Sequence, residues 1–168
     1  MFTLTERLTA ITAGARVSAV IDLGSYVDVG DRQALQIHSV DYIVQGLTAS
    51  TDLSTTFGGD SEVLAQVTDL NRGDLVFSND RALVSSMRLI YDSAGNASQD
   101  ADLYPDNYGK GSDDGRFVVN DALYCNLLVS DIAANQAVNV TVRVNASIVT
   151  LTQKDFMAIA IQSTAADN

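Results

Sequence analysis

Val138, Val140, Val142, Val144, Ala146 and Ile148 alternate without a break with Asn139, Thr141, Arg143, Asn145 and Ser147. A backbone that sends successive side chains to opposite sides turns this pattern into a strand with one face in a core and the other toward water. At ~3.3 Å per residue the run spans about 36 Å, far longer than a usual strand. A strand of that length is stable only beside others, so the rest of the chain must supply a sheet.

Residues 117–130 give the second strong signal. Leu123, Cys125, Leu127 and Val129 share one face, and Ala122, Tyr124 and Leu128 leave the other only partly polar, which predicts a central strand. The polar connection 131–136 suits an antiparallel pair of these two runs. Upstream, 15–23 places Val17, Ala19, Ile21 and Leu23 in phase, and a short segment, 26–29, is bracketed by turn residues. Within 33–45 the apolar set slips from Leu35 and Ile37 to Val40, Tyr42 and Val44, as a β-bulge near Ser39 would produce. Runs 62–70 and 82–91 also alternate, the latter with a slip at Leu83 or Val84. Residues 2–11 fit either a strand or a helical stripe through Leu4, Leu8 and Ile11. Segments 46–60 and 92–115 read as long loops, the second holding four of the eleven glycines and the only proline, Pro105. After Leu151, Thr152 can cap a short helix over 153–161, with Asp155 in its first turn and Phe156, Ile159 and Ala160 toward the body.

The expectation is an all-β chain: one domain over 1–168, a two-sheet antiparallel sandwich, as an eight-stranded jelly roll, with a short C-terminal helix. No apolar run approaches the ~20 residues of a membrane-spanning helix. The segment 1–7 lacks the basic and apolar parts of a signal peptide.

Charge narrows the function. Nineteen Asp and two Glu against eight Arg and two Lys give a net charge of −11. Such a surface repels phosphate backbones, and no basic run offsets it, so direct nucleic-acid binding is not expected. One cysteine, Cys125, precludes an intrachain disulfide, and one histidine, His38, precludes any motif that needs two. Cys125 reads as a core residue.

Four places carry residues with possible chemistry. Gly59, Asp60 and Ser61 resemble the nucleophile segment of one class of ester hydrolases, but Ser61 would need His38 as its base and no Asp-x-x-His pair follows. Asp100, Asp102, Asp106, Asp113 and Asp114, with Tyr104 and Asn107, form an acidic stretch whose oxygens are permissive for calcium. An EF-hand frame fails there, because Pro105 stands at the glycine position and Gly111 at the glutamate position. Tyr104 and Tyr108 are the only candidates for stacking on a sugar, and the chain has no Trp. Asn96, Asn139 and Asn145 begin glycosylation sequons, two of them inside the long strand. The expectation is therefore no catalytic residue, no resident metal and no cofactor. A lectin-like extracellular module is the alternative to a structural protein.

The succession of a mixed-face strand (117–130), a fully alternating last strand (138–148) and a capping helix (152–161) resembles the C-terminal part of small single jelly-roll capsid proteins of icosahedral viruses. The resemblance extends over the chain in length and strand order, and rests on no residue motif. It implies a shell subunit of a virion that associates with itself and with other capsid proteins. The versions from positive-strand RNA viruses carry a basic N-terminal arm; only Arg7 and Arg16 stand near this start, so the chain more closely resembles those of double-stranded DNA viruses.

Overall fold

A computed structural model of the chain describes residues 1–103 and 115–164. Nine strands form two antiparallel sheets. The first holds β1 (Phe2–Ala10), β3 (Gln33–Gln45), β7 (Arg116–Val118) and β9 (Val138–Thr150), in the spatial order β1-β9-β3-β7. The second holds β2 (Val17–Asp22), β4 (Ser61–Thr68), β5 (Leu83–Tyr91), β6 (Ala97–Leu103) and β8 (Ala122–Val129), in the order β2-β8-β4-β5-β6. Setting β6 aside, the remaining eight strands interleave as a jelly roll, the chain crossing between sheets at every connection except β4 to β5. A short helix, α1 (Leu53–Thr56), lies between β3 and β4, and α2 (Gln153–Thr164) follows β9.

The long alternating run is β9, flanked by β1 and β3. Val138, Val140, Val142 and Val144 are fully buried in the core, which also takes Leu8, Leu35 and Ile37 from the same sheet. The opposite sheet contributes Val63, Val67, Met87, Leu123, Cys125 and Leu127. The register slip in β3 is real: Ile37 pairs with Ala146 and Ser39 with Asn145, leaving His38 as the extra residue of a bulge. A second slip in β5 leaves Val84 unpaired, since Val67 faces Ser85 and Thr68 faces Leu83. Residues 2–11 resolve as an edge strand.

Four expectations are corrected. The run 117–130 is two strands in different sheets, broken at 119–121, where the Asn120 amide donates to Asp69 O and Leu23 N–H donates to Asp121 O. The connection 131–136 accordingly joins β8 to a strand of the other sheet, not to a partner. Residues 26–29 join no sheet; turns at 24–26 and 29–32 enclose them, with Tyr26 stacked on Phe2 at a centroid distance of 4.8 Å. Residues 97–103, expected in a loop, are β6; the Asp92–Asn96 turn, with Gly95 at φ 87°, returns the chain beside β5. Gln99 on β6 donates to Tyr42 O of β3 at 3.2 Å, which ties this side of the sandwich together.

The C-terminal helix begins as expected. Asp155 N–H donates to Thr152 Oγ1, and Thr152 Oγ1 donates to the Asp155 carboxylate. Phe156, Ile159 and Ala160 pack on Ala34, Val119 and Val149, on the outer side of the first sheet.

Strand β7 makes only three pairs with β3, and Gly115 immediately before it passes so close that an added Cβ would lie 2.3 Å from Ile37 O. Gly115→Ala should therefore destabilise the fold by about 2 kcal/mol through forced backbone movement. A lowered denaturant midpoint with unchanged slope would register it; an unchanged midpoint would show that the approach is not needed.

Candidate functional site

Ser61 and His38 are kept apart by the fold. Ser61 opens β4 with 5% of its surface exposed, and its hydroxyl donates to Asp131 O at 2.9 Å, pinning the turn after β8. His38 sits on the bulge of β3 in the other sheet, its Nε2 2.7 Å from Ser147 Oγ. Each side chain has a structural partner, and the two do not meet. Cys125 is wholly buried; burial above all, with the Glu6 carboxylate adding to it, pushes its thiol pKa up to about 12, so it remains protonated.

Asp100 and Asp102 lie on β6, not in a loop, on the face that carries Arg88 and Ser86 of β5. Asp106, Asp113, Asp114, Tyr104, Tyr108 and Asn107 fall outside the described residues. Among the described residues no three acidic, histidine or cysteine side chains converge as metal ligands would. Asn139 and Asn145 spend their side-chain amides within the sheet, on Gly46 O and Ser39 Oγ, and Asn96 donates to Asp92.

The excess of Asp over Glu has a local cause. Asp22, Asp28, Asp52, Asp80 and Asp92 each accept a backbone N–H two to four residues ahead, at 2.7–2.9 Å, closing turns and capping α1. Glu, one methylene longer, closes such rings poorly. The Ser54 N–H holds the Asp52 carboxyl below the usual range, and the Asn96 side-chain amide, with the Asn96 N–H beside it, does the same for Asp92.

One buried ionic site went unread in the sequence. Asp69, just past β4, retains 3% side-chain exposure and meets Arg116 of β7 at 2.8 Å, across from one sheet to the other. The same guanidinium nitrogen donates to Arg81 O at 2.6 Å, and Asn120 holds Asp69 O. Asp69 Oδ1 has no partner among the described residues. The pair lies at the end of the sandwich where the 69–82 connection, the 119–121 turn and the entry to β7 converge. Burial pushes the Asp69 carboxyl above its ordinary pKa, outweighing the attraction of Arg116. The arrangement fastens elements; it offers no open face to a substrate.

The 69–82 connection is itself fixed over the outer side of the second sheet. Gln66 of β4 donates to Val76 O at 2.9 Å and accepts from Val76 N–H at 2.8 Å, as a neighbouring strand would. Arg72 pairs with Asp80, and Arg16 with Asp74. Phe77 is left 87% exposed at the tip.

The outer side of the first sheet carries α2 at the end formed by Ala34 of β3 and Val149 of β9; over the rest of its β1-β9-β3 part no described residue is shown to lie across it. Thr3 bonds to Asn145, Asn145 to Ser39 and Asp41, and Thr9 to Asn139, so a carpet of small polar groups is cross-linked within the sheet. No protein-family model matches the chain, and no curated protein is similar to it in sequence. No helix among the described residues is long and apolar enough to cross a membrane.

Two outcomes test the buried pair. Arg116→Met strands a carboxylate and should cost about 3 kcal/mol of stability at neutral pH. Because the folded pKa of Asp69 is raised, the native state binds this proton more tightly than the unfolded chain. This single group therefore adds stability as pH falls from that raised value toward the ordinary carboxylate value, the opposite of Asp52 and Asp92. In Asp69→Asn that gain on the acid side should vanish, read as the difference between the two stability–pH curves; parallel curves would refute the assignment.

Proposed function

We propose that this chain is a shell subunit of a virus particle, a single jelly-roll major capsid protein that assembles with copies of itself and has no catalytic task. The observation that carries the reading is the interleaved order β1-β9-β3-β7 facing β2-β8-β4-β5 within 168 residues. That is the architecture the resemblance requires. The fold spends its polar side chains on fastening turns and strands to each other, as a building block does. Of the four exposed positions of β1, three, Thr3, Thr5 and Thr9, are short side chains that lose little entropy when a neighbour covers them; the fourth is Arg7.

Charge shapes the proposal further. At −11 the subunit repels nucleic acid, so in this reading the shell surrounds its genome without gripping it, and its partners are other copies and other capsid proteins. The double-stranded DNA virus type fits that arrangement best. Like-charged copies repel, and closed shells need contacts of ~1,200–2,000 Å² each, so assembly should require salt or divalent ions that screen or bridge the Asp side chains.

Electron microscopy of the purified protein, with light scattering across a salt series in the presence and absence of chelator, tests both parts. Large symmetric particles that form above a threshold ionic strength are expected. A protein that stays monomeric under every condition would overturn the shell reading. Particles equally stable at very low salt in chelator would overturn the charge argument alone.

A further inference from the structure

Four of the eight arginines, Arg16, Arg72, Arg88 and Arg116, are ion-paired within the chain, to Asp74, Asp80, Glu62 and Asp69. Arg7 and Arg143 are not, among the described residues, although both are exposed on a chain of net charge −11. They stand together. Arg7 pairs in register with Thr141, and Arg143 with Thr5, which makes the two arginines diagonal neighbours on adjacent strands, about 7 Å apart at the backbone. Both are exposed on the outer side of the β1-β9-β3 sheet, away from the Ala34–Val149 end where α2 packs. Among the described residues of these three strands one acid, Asp41, stands on that side; it faces Arg143 across the strands and bonds to Asn145 at 3.2 Å, not to a guanidinium.

Two adjacent cations share the single carboxylate of Asp41, which stands beside Arg143 and is turned to Asn145, so the patch keeps a net positive charge. The face is thus a flat, pre-organised, locally positive platform on an acidic molecule. Its natural complement is an exposed strand bearing two carboxylates on one side. The chain has such a strand: β6, exposed along its length, with Asp100 and Asp102 two residues apart on one face at the edge of the other sheet.

We infer that the outer face of the β1-β9-β3 sheet is a docking surface for a second copy of this chain, with Arg7 and Arg143 receiving Asp100 and Asp102 of that copy's β6. The inference rests on the self-assembly proposed above and names the contact through which it occurs. Face and edge are different surfaces, so the contact is heterologous; repeated, it propagates into a ring or lattice in place of stopping at a pair. It also changes the expected salt response. General repulsion weakens as salt rises, but so does the arginine–aspartate contact, so association should pass through a maximum at intermediate ionic strength where screening of repulsion alone would only rise.

The test is self-association, by sedimentation or light scattering, of the wild type, Arg7→Glu/Arg143→Glu, Asp100→Arg/Asp102→Arg, and an equimolar mixture of the two variants. The altered side chains are exposed, so each variant should melt as the wild type does; Arg7→Gln/Arg143→Gln serves if the charge reversal misfolds. Each variant alone should lose association by at least about tenfold, and the mixture should recover it. If the wild type associates and Arg7→Glu/Arg143→Glu does so equally, the docking face is wrong while the shell reading stands. If the mixture does not recover, β6 is not the partner and the inference as stated fails. If the wild type associates at no salt concentration, the shell reading falls and takes this contact with it.

Discussion

Four valines of β9, at 138, 140, 142 and 144, lose all contact with water because the opposite sheet presents Leu123, Cys125, Leu127 and Val129 at the same depth. At roughly 1.5–3 kcal/mol per fully buried apolar side chain, this double row contributes strongly to the stability of the molecule. It also dictates connectivity. With β9 central in one sheet and β8 second in the other, the strands before them must alternate between sheets to flank both, and the loops must cross at the two ends. The Asp69–Arg116 pair and the Ser61–Asp131 bond sit at those crossings, fastening what the core has aligned.

What could be read from residue order follows from this. Where one side of a strand is buried and the other wet, alternation is strong, and β9, β3 with its bulge at His38, and β5 with its slip at Val84 were all visible. Strand β6 was not, because an edge strand exposed nearly everywhere holds its place by main-chain pairing and carries no hydrophobic period; only the Asp92–Asn96 turn marked it. The break between β7 and β8 was masked by apolar residues on both sides of it. Asn120 and Asp121 were the available turn signal. The buried Asp69–Arg116 pair could not be foreseen, since its members lie 47 positions apart and meet only when two sheets are stacked. Periodicity reports which face of a strand is dry; it is silent on which strand lies opposite.

The acidic composition also looks different once placed on the fold. Much of it is turn chemistry: short carboxylates closing rings on backbone N–H groups at Gly24, Gly30, Ser54 and Ala82. The net charge is then partly a by-product of how the chain reverses direction, though Asp41, Asp100 and Asp102 stand on strand faces.

The two broad faces are not equivalent. One has the 69–82 segment clasped over it by the Gln66 amide, with Phe77 standing proud; the other carries α2 at one end and, beside it, a cross-linked polar surface with two cations. A slab whose two sides differ in this way has a direction. Copies laid side by side in a layer can therefore all point the same way and tell inside from outside, and a curved layer built from them would have its concave surface decided by the monomer before a second copy arrives.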